Sequence, residues 1–264
     1  MSKKRLAKSA CIIASALILG PLSSLIAQTK PQSSGQGIKA IRVPFVGCNS
    51  DGQQGLLAAP KGISKLVQID SSTAKRLAYY RAGYSSGVLA PRGWYCFETY
   101  GSGGLDLYVA PQPMNSDDLF SEKWNGFTGP AIEVSFTLSS TSGRFKVAQV
   151  IARVFPARKA FVQSVIKLDI EPASDFPFGP FPKDKLIYKN DRIVEYQTPA
   201  HSEGLGTLTW LRANNLPIYG VEILLREESD LLSVAVRLPA EMNDLTPQII
   251  QQFERENEQN LSQK

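Results

Sequence analysis

The sequence predicts an α+β fold that combines antiparallel sheets with a central helix pair and a C-terminal helix. Three observations support this class. Short runs rich in β-branched and aromatic residues alternate with turn residues in both halves of the chain. Apolar residues recur at helical spacing between about 143 and 168, and Thr246-Pro247 opens an amphipathic segment near the C-terminus.

Residues 1–27 are predicted to be a cleavable signal peptide. Four cations lie among the first eight residues, an apolar run from Cys11 to Ala27 follows, and the first acidic residue is Asp51. This order is typical of a secretory signal, and Pro21 interrupts a run too short to span a bilayer. We therefore expect cleavage near Ala27, a periplasmic or secreted bacterial protein, and no stable membrane anchor.

The charge of the chain depends strongly on this segment. The whole sequence has 29 Lys and Arg against 24 Asp and Glu, and removal of the signal leaves 25 against 24. The mature protein is therefore close to neutral and retains no basic run. This balance argues against nucleic acid as a partner.

Two cysteines, Cys48 and Cys96, remain after loss of Cys11. In an oxidising compartment such a pair forms a disulfide, worth about 4 kcal/mol for a loop of this length in the chain-entropy treatment. The alternative is two unpaired buried thiols. The long separation is unlike the C-x-x-C spacing of redox-active pairs.

The disulfide-containing α+β region is predicted to span residues 28–110. It begins with a polar lead-in at 28–37 and contains one helix, which Asp70 or Ser71 caps and Gly83 ends. Its last three strands are predicted to form an antiparallel meander. The predicted strands are 38–46, 65–69, 87–90, 94–100 and 105–109.

Residues 111–130 lack a clean period and are predicted to be a linker or long loop. The region 131–264 then holds a strand, a helix pair interrupted at Pro156, a four-stranded antiparallel sheet and the C-terminal helix. The two regions are either separate domains or one. The strands of the predicted sheet are 192–197, 205–212, 218–225 and 231–238.

A serine hydrolase is one candidate function. Gly83-Tyr84-Ser85-Ser86-Gly87 matches G-x-S-x-G, and the only histidine, His201, follows Ser85 as that class requires. The hydrolase elbow needs a strand before the serine and a helix after it, whereas the predicted order here is reversed. A helix C-cap turn is therefore favoured, and catalysis by Ser85 and His201 is the alternative.

The sequence contains no recognisable metal or cofactor site. One histidine and no free cysteine argue against a histidine-rich zinc site, so a metal would need carboxylates only. A hard cation such as calcium stays open, but no calcium-binding loop motif is present. We expect neither a metal nor another cofactor. A carboxylate-based glycan enzyme stays open as a third hypothesis, although the sequence selects no pair of acids.

Aromatic residues with arginines between them surround Cys96. Because side chains alternate along a strand, Trp94 and Cys96 share one face and Tyr95 lies on the other. An exposed aromatic set of this kind suits a glycan, peptide or protein. The competing interpretation is core packing around a disulfide. The candidate binding surface consists of Arg92, Trp94, Tyr95 and Tyr100.

Three segments are similar to uncharacterised secreted or periplasmic proteins of Gram-negative bacteria. They are residues 88–100 (VLAPRGWYCFETY), 195–207 (EYQTPAHSEGLGT) and 236–239 (VRLP). The resemblance covers most of the mature chain and implies export, but it transfers no catalytic residue. The leading hypothesis is a non-enzymatic periplasmic binding protein or envelope interaction protein, whose partner is an unknown protein, peptide or glycan.

Overall fold

Twelve strands in two sheets are present in the computed structural model, which describes residues 40–225 and 229–262. The predicted signal peptide and the lead-in at 28–37 lie outside the described residues. The α+β class is confirmed. Within the described residues, no helix is both long enough and apolar enough to cross a bilayer.

The small sheet has four strands in the order β3-β1-β4-β5. Strands β1 and β4 are parallel, and the other two pairings are antiparallel. A single helical turn, α1 (Ser71–Ala74), lies between β3 and β4, and the carboxylate of Asp70 caps it by accepting from Ser72 and Thr73 N–H groups. The strands are β1 (Ala40–Gly47), β3 (Ser64–Gln68), β4 (Leu77–Arg81) and β5 (Val88–Pro91).

The helix predicted to run from Ser71 to Gly83 is wrong beyond its first turn. Leu77–Arg81 forms β4, in which the first four side chains are all buried. The strand lies between β1 and β5 and is covered on both faces, so the apolar–polar alternation of a half-buried strand is absent. Because the apolar residues of this strand do not alternate with polar ones, their positions also fit the three- and four-residue spacing of a helix.

The large sheet has eight strands in the order β2-β6-β7-β8-β12-β11-β10-β9. Only β2 and β6 pair in parallel, so both sheets are mixed rather than purely antiparallel. The predicted meander of 87–90, 94–100 and 105–109 is correct only for its last two strands, which pair as β6 and β7; the first strand, β5, belongs to the small sheet. The strands are β2 (Asn49–Gly52), β6 (Tyr95–Gly101), β7 (Gly104–Ala110), β8 (Ala131–Thr137), β9 (Lys185–Tyr188), β10 (Ile193–Thr198), β11 (Ile218–Leu224) and β12 (Leu231–Arg237).

The large sheet runs without a break across residues 111–130. That segment leaves β7, forms the single turn α2 (Ser116–Leu119), and returns to β8, the neighbouring strand. The described residues belong to one compact unit. The disulfide-containing region and the C-terminal region therefore share one sheet.

Three longer helices cover the sheets. Helices α3 (Arg144–Val154) and α4 (Lys159–Ile166) form the predicted pair, with a 3-10 turn at Pro156 between them. The C-terminal helix α5 (Thr246–Ser262) begins at the predicted residue. Polar residues in its second half, Glu254 and Asn257, are buried rather than solvated.

The strand predicted at 205–212 is also wrong. Leu205–Leu208 forms a 3-10 turn, and the residues after it lie across the large sheet rather than within it. Asp184 holds the start of this segment by accepting from the N–H of Leu205 at 2.8 Å. Gly206 sits so close to β11 that a Cβ there would lie 2.6 Å from the Cβ of Ile218.

The two faces of the large sheet have different coverings. We call one the apolar face: it packs against the small sheet and α5, and includes Leu107, Val134 and Val234. We call the other the polar face: its margins pack against α3 and α4, and its centre carries charged and hydroxyl side chains. The polar face carries Asp106, Glu133 and Glu222, whereas Glu98 is buried on the apolar face opposite Leu107.

The predicted disulfide is present. Cys48 lies between β1 and β2, Cys96 lies in β6, and their Cα atoms are 5.3 Å apart. The bond therefore links β6 to the segment in which the chain passes from the small sheet to the large one. Its presence fits an oxidising compartment.

Candidate functional site

Two carboxyl side chains occupy neighbouring strands at the centre of the polar face. Asp106 on β7 pairs with Ser135 on β8, and Tyr108 pairs with Glu133. Because paired residues of antiparallel strands share a face, Asp106 and Glu133 are diagonal neighbours, with Cα atoms separated by roughly 7 Å. Because successive side chains of a strand point to opposite faces, Leu107, which lies between Asp106 and Tyr108, faces the apolar side.

These carboxyl groups lie at the floor of an open cleft of about 690 Å³. The sheet forms the floor, the start of α3 forms one wall, and residues 207–212 form another. Two partly exposed rings, Phe120 and Trp210, stand at the rim. Hydroxyl groups that line the cleft come from Thr99, Ser135, Thr137, Ser142, Thr207 and Thr209.

Glu133 is 3% exposed and is held at one oxygen only. Its Oε2 accepts a hydrogen bond of 2.7 Å from the backbone N–H of Trp210. The other oxygen has no hydrogen-bond partner among the described residues, and Glu133 lines the cleft. Burial, reinforced by the charge of Asp106, raises the pKa of Glu133 to about 8. At pH 7 the group is therefore mostly protonated.

Asp106 has a different environment. It is partly exposed at the cleft floor. Burial raises the pKa of Asp106 overall, although hydrogen bonding from Ser135 and the positive charge of Lys146 oppose that shift. Lys146 projects from the first turn of α3 into the cleft wall, and it has no hydrogen-bond or ion-pair partner in the part of the chain that the structure describes. The cleft thus offers a cation that is free to contact a ligand.

The polar face continues beneath α3 beyond the cleft. Glu222 on β11 is 2% exposed and accepts a hydrogen bond from the hydroxyl of Ser233. Burial raises its pKa to about 7. The hydroxyl of Tyr196 is buried without a partner among the described residues. Neither Glu222 nor Tyr196 lines the cleft, so we treat them as supporting residues.

Backbone hydrogen bonds fix the wall that carries Trp210. The N–H of Phe127 donates to the carbonyl of Trp210 at 2.7 Å, and the N–H of Arg212 donates to the carbonyl of Phe127 at 2.9 Å. The guanidinium of Arg237, fully buried, donates to the carbonyls of Phe127, Gly129 and Arg212. Desolvation lowers the pKa of Arg237 to about 10. One side chain thus clamps two loops together.

An aromatic cluster backs the ring of Trp210. The rings of Trp124 and Trp210 have centroids 4.6 Å apart, and Trp124 also contacts Phe127 and Tyr108 edge-on or tilted, with centroids 5.7 Å apart in both pairs. Such packing restricts the ring at little entropic cost. The guanidinium of Arg212 lies 5.6 Å from the centroid of the same ring. The ring of Trp210 is therefore held in place and 37% exposed, and the backbone N–H of Trp210 contacts Glu133.

The four residues of the predicted aromatic surface have separate roles. The guanidinium of Arg92 donates to the carbonyls of Leu77 and Ala74, and Trp94 packs against the core. Tyr95 is exposed and lies outside the cleft. Tyr100 lines the cleft, although its hydroxyl donates to a carbonyl elsewhere. Among the four, only Tyr100 belongs to the cleft.

Ser85 and His201 are not brought together. Ser85 is buried in the turn between β4 and β5 and lines a small pocket that also includes Lys65 and Glu256. His201 is exposed beyond the end of β10, where its φ of 54° is left-handed. They share neither a hydrogen bond nor a described cavity. The turn also joins two strands rather than a strand and a helix, so the geometry gives the serine-hydrolase alternative no support.

Neither metal sites nor relatives supply a function. In residues 40–225 and 229–262, no three or more His, Cys, Asp or Glu residues are grouped as metal ligands. Comparison of the chain with protein-family models, with curated proteins and with solved structures finds no match. The function is therefore inferred from the cleft itself.

Proposed function

We propose that this chain is an exported binding protein whose cleft holds a hydroxyl-rich ligand, namely a segment of a glycan. The observation that carries the proposal is the fixed ring of Trp210, set beside carboxyl and hydroxyl groups in one open cleft. The cleft volume, about 690 Å³, suits a few sugar units.

The two kinds of lining group match the two kinds of sugar surface. The apolar C–H face of a pyranose ring packs on an indole, whose face carries partial negative charge. The hydroxyls at the edge of the ring donate to carboxylates and exchange hydrogen bonds with Ser and Thr side chains. Lys146, Arg212 and Asp106 place charges of both signs in the cleft, and each of these side chains can hydrogen-bond to ligand hydroxyls.

Export to the periplasm or the exterior is part of the proposal. The Cys48–Cys96 bond fits an oxidising compartment, and the sequence predicts a signal peptide at residues 1–27. In that location the glycans of the cell envelope are the nearest ligands of suitable chemistry. The proposed binding site is therefore the cleft and not the surface around Trp94 and Tyr95 that the sequence predicts.

The test is calorimetric titration of the exported protein with defined oligosaccharides. The panel contains four-unit oligomers of glucose and of N-acetylglucosamine, and soluble peptidoglycan fragments. Trp210→Ala should weaken binding by roughly tenfold or more, since an aromatic contact is worth about 0.5–1.5 kcal/mol beyond its buried area. Tyr95→Ala is the matched control, because Tyr95 is equally aromatic, 51% exposed and outside the cleft.

Binding to no member of the panel would contradict the glycan proposal. Equal affinities for wild type and Trp210→Ala would place any binding outside the cleft. Loss of binding in Tyr95→Ala, with Trp210→Ala unaffected, would instead restore the aromatic surface that the sequence predicts.

A further inference from the structure

We infer that the cleft also hydrolyses the glycan it holds, with Glu133 as the proton donor to a glycosidic oxygen and Asp106 as the carboxylate that activates water. This inference rests on the proposed binding function and specifies what the same cleft does to its ligand.

The first support is the position of Glu133. The backbone N–H of Trp210 holds one carboxyl oxygen, while the second has no partner among the described residues and Glu133 lines the cleft. The residue that holds Glu133 also supplies the stacking ring. Because Trp210 and Glu133 line one cleft, a sugar unit held there reaches both residues, as proton transfer to a bridging oxygen requires.

The second support is the contrast between the two carboxyl groups. Glu133 is almost fully buried, and only a neutral backbone N–H contacts it. Asp106 is partly exposed and has a hydroxyl neighbour, Ser135; burial raises its pKa overall, and the hydroxyl and the charge of Lys146 oppose that shift. Unequal environments of this kind separate an acid from a base within one pair. We therefore assign the proton to the more deeply buried Glu133 and the negative charge to Asp106, which is open to the cleft.

The reaction balances with water as the only co-reactant. Glu133 transfers its proton to the glycosidic oxygen as the bond from that oxygen to the anomeric carbon breaks. The oxygen of a water molecule bonds to the anomeric carbon while Asp106 accepts a proton from that water. One glycosidic bond and one water become two hydroxyl groups. Asp106 then releases its proton to solvent, and Glu133 takes one back.

The experiment uses the oligosaccharide that binds most tightly in the calorimetric panel, incubated with wild-type protein in oxygen-18-labelled water. Mass spectrometry should show shorter products that carry the label at the new reducing end. Glu133→Gln and Asp106→Asn should each lower the rate by about a hundredfold or more, with the dissociation constant changed by no more than about threefold. Asp117→Asn, an exposed carboxylate outside the cleft, is the control that should keep wild-type turnover.

The outcomes separate catalysis from binding. Binding without turnover overturns the hydrolysis and leaves the proposed function intact, whereas absence of binding overturns the proposed function itself. Turnover that survives both Glu133→Gln and Asp106→Asn overturns the assignment of these residues. If a variant does not fold, the pH dependence of wild-type hydrolysis tests the assignment of Glu133. The rate should fall above about pH 8, because Glu133 loses its proton there.

Discussion

The two faces of the large sheet are made by alternate residues of the same strands, yet they differ in almost every physical respect. On β8, Ile132, Val134 and Phe136 face the small sheet and α5, while Glu133 and Ser135 face the cleft. The apolar face is closely covered by apolar side chains, and it holds one fully buried carboxyl group, Glu98, opposite Leu107. The polar face is only partly covered, and it carries Asp106, Glu133 and Glu222.

This contrast indicates a division of labour. Burial of apolar area stabilises the fold by about 25 cal/mol per Å², so the apolar face supplies most of the stability of the sheet. Buried carboxyl groups cost free energy unless they are neutral or paired. The polar face tolerates that cost because the apolar face fixes the backbone beneath it. Substitutions on the apolar face should therefore affect mainly stability, and substitutions on the polar face mainly binding.

The disulfide should be the strongest single constraint on the apolar side. Replacing Cys48 and Cys96 together by serine should lower the free energy of unfolding by about 4 kcal/mol, because the open chain gains the entropy of a long loop. Urea denaturation of both proteins measures the difference. Unfolding that stays unchanged after reduction would mean that the contacts between the two sheets suffice without the bond.

Leu107 and Ser135 test the two faces directly on adjacent strands. Leu107→Ala should lower the free energy of unfolding by about 3 kcal/mol, because it leaves a cavity at a fully buried position of the apolar face. Ser135→Ala should change stability by about 0.5 kcal/mol or less, as is usual away from the core, but weaken glycan binding. The same denaturation and titration experiments apply to both. A larger loss of stability for Ser135→Ala would contradict the division of labour.

Much of the apolar face was predictable from the sequence, and the reason is periodicity. Alternation of apolar and polar residues predicts the strand at 132–138, and β-branched and aromatic content predicts the strand at 105–109. On the polar face, helical spacing predicts α3 and α4. The method failed where periodicity disappears. Strand β4 is buried on both faces, and the segment 205–212 lies across the sheet because of Gly206 and Asp184, whose contacts are tertiary.

The cleft is harder to predict from the sequence than the strands are. Asp106 stands between Leu105 and Leu107, and Glu133 between Ile132 and Val134, so both were recognisable as the polar positions of alternating strands. A solvated strand face has the same pattern, however. Only the register, which places Tyr108 opposite Glu133, makes the two carboxyl groups neighbours.

Register and loop positions require the three-dimensional structure. Trp210 reaches the cleft through backbone hydrogen bonds to residues 127 and 133, which lie about 80 positions earlier in the chain. No local pattern around Trp210 encodes those contacts. The aromatic density near Cys96 was the stronger local signal, but it marks the packing around the disulfide more than the cleft.

Arg237 links the two faces, since its strand belongs to the core and its guanidinium holds the cleft wall. Arg237→Met should destabilise the protein by roughly 2 kcal/mol, because buried carbonyls of Phe127, Gly129 and Arg212 lose their donor. It should also weaken binding by releasing the loop of Trp210. Arg237→Lys, which keeps the charge but lacks the forked donors, should recover only part of both properties. Full recovery by lysine would show that charge alone suffices.

The smallest expected effect is the pH dependence that the polar face adds to stability. Burial raises the pKa of Glu222 from 4.5 to about 7, so the folded protein holds a proton that the unfolded chain releases between these values. The resulting stabilisation is complete below about pH 4.5 and is lost as pH rises through about 7. The unfolding midpoint in urea should therefore fall between pH 5 and pH 8.

Glu222→Gln should flatten this slope and raise stability at pH 8 by on the order of 1 kcal/mol, because glutamine cannot ionise. Glu254→Gln is the matched variant on α5, the opposite side of the sheet. Burial, with the nearby charge of Glu195, raises the pKa of Glu254 to about 7 in the same direction. If only Glu254→Gln removes the pH dependence of the unfolding midpoint, that dependence arises at α5. If Glu222→Gln removes it, the dependence arises on the polar face, which carries the cleft.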